Sequence, residues 1–176
     1  MEHAGITGGG WLGRFLRARH SGSSSPLAAV AVGRTVPECL RGAPAATVFK
    51  SLDDFSLGRD PKPLIRSLAR LYGLEKDHLG EAGRDTLDAV QRLADLRSVT
   101  YRPANSAVYG TDDFSQGLLQ VARLIKARIG LDAASLDLNG WDSHFGQSTV
   151  MDPLLVRLGR GLGAFYRDMG EELAHT

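Results

Sequence analysis

The chain has 176 residues, 43% of them hydrophobic and 23% charged, with a formal net charge of +1. A chain of this length can bury a core without disulfide staples, and this balance of apolar and charged residues excludes disorder throughout. The near-neutral charge gives no global field of the kind that implies nucleic acid as a partner, and no apolar run approaches the ~20 residues needed to span a bilayer.

Residues 11–19 read as a short amphipathic helix, with Trp11, Leu12, Phe15 and Leu16 on one face and Arg14 and Arg17 opposite. His20 to Pro26 reads as a loop. Leu27 to Val32 is an apolar run bounded by Pro26 and Gly33, which suits a strand buried on both faces, as in a parallel sheet. A second short strand is expected over Ala46 to Phe49. The break Asp60-Pro61-Lys62-Pro63 precedes a helix from Leu64 to Tyr72 that Gly73 is expected to stop. Arg84 to Arg97 reads as a helix, with Leu87, Val90, Leu93 and Ala94 on one face.

Tyr101 to Thr111 contains Pro, Asn and Gly and reads as a loop. Phe114 to Ile129 is helical, with Asp112-Asp113 as its capping pair and Gly130 as its stop. A strand over Ala133 to Leu138 leads into Asn139-Gly140. Asp152 is then expected as an N-cap, with Pro153 at the first helical position. The helix that follows carries the stripe Leu155, Leu158, Leu162, Phe165, Tyr166, Met169 and Leu173. Helices and strands alternate, so the expected fold class is α/β, a partial, mostly parallel sheet flanked by helices.

The segment Leu136 to Gln147 carries the most chemistry. It follows a strand, where binding groups gather in open parallel sheets. In extended backbone, positions i and i+2 point to the same side, so Asp142 and His144 project together and Ser143 turns away. A carboxylate oxygen and an imidazole nitrogen so placed can share a divalent ion such as zinc. Gly140 permits the turn that aims them, and Trp141 either walls the site or anchors the loop in the core. The plainer alternative is that Asp142 caps a turn and His144 bonds to backbone, since an Asp-x-His pair is common by chance.

Gly140-Trp141-Asp142-Ser143-His144, followed by Gln147, resembles the Gly-Trp-Asp-Thr-His signature of the bacterial family called domain of unknown function 1501. Glu2 to Gly5 and Gly10-Trp11-Leu12-Gly13-Arg14-Phe15-Leu16 resemble that family's Gly-Trp-Leu-Gly-Arg segment. Leu27 to Gly33 with Gly42 and Pro44, and then Leu52 to Leu57, follow in the family's order. Asn139 stands where the family usually has Gly, and Ser143 where it has Thr.

The family is similar to the alkaline phosphatase and sulfatase superfamily. The resemblance therefore implies an alkaline-phosphatase-like α/β domain, a divalent metal cofactor held by Asp142 and His144, and a small-molecule phosphate or sulfate ester as substrate. The family's N-terminal strand and its C-terminal part have no counterpart here, so the chain as a whole, 1–176, reads as the central part of a larger family domain.

Other segments carry less. Gly8-Gly9-Gly10 before a helix lacks the Gly-Lys-Ser/Thr ending of a phosphate loop and reads as a flexible entry. His3, His20, His78 and His175 sit in polar surroundings. Cys39, the only cysteine, forms no internal disulfide and reads as a structural thiol. The N-terminus has neither the basic nor the apolar region of a signal peptide. Two function classes follow: a metal-dependent ester hydrolase, incomplete in this chain, or a non-catalytic remnant or accessory protein.

Overall fold

The computed structural model describes residues 8–19, 25–54, 61–142, 144 and 146–175. Glu2 to Gly5, His3, His20, Ser23, Ser24, the Phe55–Leu57 end of the Leu52–Leu57 stretch, Asp60 and Ser143 lie outside the described residues. The chain divides into two compact units, Met1–Val99 with Ile129–Ser135, and Thr100–Arg128 with Leu136–Thr176.

The first unit holds α1 (Trp11–Arg19), β1 (Ala29–Val32), β2 (Thr47–Phe49), α2 (Lys62–Leu74) and α3 (His78–Ser98), and takes in most of β3 (Ala133–Leu136). The three strands form one small parallel sheet in the order β2-β1-β3, so the α/β class holds. β1 pairs with β2 through Val30 opposite Thr47, Ala31 opposite Val48 and Val32 opposite Phe49. The Asp132 and Ala133 amides donate to the Ala28 carbonyl on the other side. Ala29, Val30 and Ala31 are buried on both faces, as an uninterrupted apolar run requires.

One face of the sheet packs against α1 and the 3₁₀ turn Glu38–Leu40. Leu16, Ala29, Ala31 and Leu40 form its buried core, ringed by Leu12, Cys39, Ala43, Ala46, Val48 and Ala133. Trp11 and Phe15 were expected on this face but are exposed. The buried side of α1 runs instead through Gly13 and Leu16. Here α1 comes so close to the following turn that a Cβ on Gly13 would stand 2.4 Å from the Arg41 carbonyl oxygen. The second glycine of the Gly-Trp-Leu-Gly-Arg segment is thus required by packing.

α2 runs past Gly73 to Leu74, and α3 begins at His78, six residues ahead of Arg84. Two capping interactions explain both shifts. Asp77 accepts the Gly80 amide at 3.0 Å and starts α3 upstream of its apolar stripe. Arg84 donates to the Tyr72 and Glu75 carbonyls at 2.6 and 3.0 Å, which satisfies carbonyl groups that α2 would otherwise leave open at its end.

The second unit is built on α4 (Asp113–Lys126) and α5 (Gln147–Met169), which pack together. Asp112 caps α4 as expected: Oδ1 accepts the Ser115 amide at 3.1 Å and Oδ2 the Ser115 hydroxyl at 2.8 Å. α4 stops at Lys126 rather than Ile129, with Arg128 in the left-handed region at φ 51°.

α5 corrects two expectations. It starts at Gln147 behind Gly146, so Pro153 lies inside the helix and Asp152 is no cap. The proline leaves only the Thr149 carbonyl without its helical donor, and Leu154 continues the buried face on the N-terminal side. That buried face is Leu154, Gly161, Ala164, Asp168 and Met169, while Leu155, Leu162 and Tyr166 are exposed. Small residues set the rotation: Gly161 lets the Phe114 ring approach within contact distance.

Candidate functional site

The loop that follows β3 carries the two singled-out side chains. Gly140 sits at φ 101°, a conformation that L side chains rarely adopt, so the turn requires glycine there for its backbone and not for space. The Trp141 indole N–H donates to the Leu138 carbonyl at 2.6 Å. Its ring is partly exposed, and the bond ties the turn back onto the chain just before it. The bond anchors the loop locally, while the exposed ring does not place Trp141 in the core.

Asp142 and His144 are brought together. His144 Nδ1 meets Asp142 Oδ1, and the two side chains are 81% and 76% exposed. The His144 amide also points at the same carboxylate oxygen, at 3.4 Å. Asp142 therefore begins to act as a local turn cap while it orients the imidazole. It does not cap α5, whose N-terminal residue Gly146 has no side-chain cap. The pair leaves Asp142 Oδ2 and His144 Nε2 as the outward donors. One carboxylate and one imidazole suit zinc chemically, and a carboxylate on Nδ1 is the arrangement that fixes an imidazole for ligation through Nε2. Among the described residues no group of three or more His, Cys, Asp or Glu side chains converges on one point.

A second cluster escaped the sequence reading. Asp168, on the buried face of α5, has no exposed side-chain surface. Its Oδ2 accepts the Tyr101 and Tyr109 hydroxyls at 2.7 and 2.8 Å. Its Oδ1 accepts the Ala104 amide at 2.7 Å and the Lys126 ammonium at 2.5 Å. Lys126 also lies 5.6 Å from the Tyr101 ring centre. Burial pushes the Asp168 carboxyl up, but the bonds from Lys126, Tyr101, Ala104 and Tyr109 together hold it below the usual carboxylate range. Burial pushes both phenols up, and their bonds to Asp168 push further the same way, so they stay protonated donors. The sequence offered one clue, a charged residue at helical spacing from Gly161 and Ala164.

Cys39 is half-buried, with its Sγ 3.5 Å from the Ser135 hydroxyl, in keeping with a structural thiol. Arg14 and Arg17 spend donors on the Gly9 and Gly8 carbonyls, so the glycine-rich entry is tied to α1 by its own helix. No described helix is long and apolar enough to cross a membrane. No protein-family model, no curated protein and no solved structure matches this chain.

Proposed function

We propose that the chain contributes Asp142 and His144 to a divalent-metal site of the phosphate- or sulfate-ester hydrolase type. The observation that carries this reading is the juxtaposition of the two side chains, both exposed, on a glycine-aimed loop after a strand of a parallel sheet. The resemblance of Gly140 to His144 to the signature of the domain of unknown function 1501 family supports the same chemistry and an alkaline-phosphatase-like fold. His144 would hold the ion through Nε2, with Asp142 orienting the imidazole from its Nδ1 side. When bound, a divalent ion supplies Lewis-acid polarisation of an ester oxygen.

Calorimetric titration with zinc tests this. The native chain is expected to bind one zinc ion, and Asp142→Ala and His144→Ala are each expected to weaken binding by about tenfold or more. Binding that survives both substitutions, or no binding at all, overturns the proposal.

The donor count favours a non-catalytic reading of the chain by itself. A catalytic zinc takes about three protein ligands and an open position, and among the described residues no group of three or more His, Cys, Asp or Glu side chains is found. The purified chain is therefore expected not to hydrolyse aryl phosphates or aryl sulfates. Turnover at an enzyme-like rate that disappears in Asp142→Ala would contradict that.

A further inference from the structure

The segment 101–110 has no regular secondary structure, yet one side chain holds it against the carboxyl-terminal end of α5. The Tyr101 and Tyr109 hydroxyls clamp its two ends to Asp168 Oδ2, and the Ala104 amide fixes its middle to Asp168 Oδ1. The Asn105 side-chain amide adds a bond of 2.8 Å to the Arg167 carbonyl on the same turn. Ala107 is the strap's one fully buried residue, Tyr101, Pro103 and Tyr109 are partly buried, and the other six are exposed. Asn105 and Ser106 also sit in succession in the left-handed region, at φ 50° and 53°, a conformation that costs residues with a Cβ. The closed position thus rests on a polar latch and holds strained backbone.

We propose that the strap 101–110 is a conformational device that opens as one piece, separately from α4 and α5, with Asp168 as its latch. Opening leaves no stranded charge, because Lys126 reaches Asp168 from α4 and stays on it when the strap departs. A segment without regular secondary structure, most of whose residues are exposed and which is held by a few polar anchors, belongs to the lower range of local opening free energies.

Residue-resolved amide hydrogen exchange on the full chain tests the device. Y101F/Y109F removes both hydroxyl donors but keeps both rings and the Lys126–Asp168 pair. The Ala104 amide, and the Ala107 amide that donates to the Ala104 carbonyl at 2.9 Å, are expected to exchange about tenfold faster or more, while the amides of α4 and of α5 before Arg167 keep their native rates. Y109F alone is expected to accelerate the same two amides by a smaller factor. Unchanged strap amides, or equal acceleration through α4 and α5, would overturn the proposal, since the latter makes strap and helices a single cooperative unit.

Discussion

Asp168 and Asp142 show how differently one residue type behaves in two settings. Asp168 is fully buried, with four donors on its two oxygens. Removing it strands those donors and breaks a buried ion pair. Asp168→Ala is therefore expected to lower stability by about 3 kcal/mol in denaturant melts. The pH dependence has a definite sign. The folded carboxyl titrates below its unfolded value of about 3.9, so its contribution is complete above that value. It is lost as pH falls through the lower folded value. Native stability is expected to decline on acidification below about pH 4, and Asp168→Asn to flatten that decline. A variant with the native slope would show that other carboxylates set it. Asp142, by contrast, is mostly exposed and engages only its own loop, so Asp142→Ala is expected to leave the melt within about 0.5 kcal/mol of native.

Elements followed the sequence where local signals and packing agree. β1 was legible because a short apolar run between Pro26 and Gly33 has few other ways to be satisfied. The start of α4 was legible because Asp112 caps it through its own next turn. The end of α2 was not, since it depends on Arg84 reaching back to the carbonyls of Tyr72 and Glu75, and α3 starts at the Asp77 cap, ahead of the apolar stripe that marks it. In α5 the proline signal lost to a helix already started at Gln147, and the large apolar residues lost the buried face to Gly161 and Ala164. The close approach of α1 to the Arg41 carbonyl gives a prediction at this scale. Gly13→Ala is expected to destabilise the chain by about 2 kcal/mol, read by denaturant unfolding, because the added methyl meets backbone that must move. A neutral substitution would mean that the turn at 38–43 yields without cost.

At the scale of the whole molecule, the two polar clusters differ in how they could be read. Asp142 and His144 stand two residues apart, so the local chain alone brings them together. The Asp168 cluster joins residues separated by 42 to 67 positions, and only tertiary packing assembles it. The first cluster is exposed and has outward donors; the second is buried and saturated. That contrast marks the pair on the loop after β3 as open to a ligand and the cluster on α5 as structural. Both clusters lie in the second unit. The most direct test of the proposed metal site is a zinc titration followed by the imidazole resonances of the five histidines of the chain. The His144 ring is expected to respond first and to saturate at one equivalent, and Asp142→Ala to abolish this selectivity. A His144 ring that stays silent, or five rings that shift together, would contradict the proposed site.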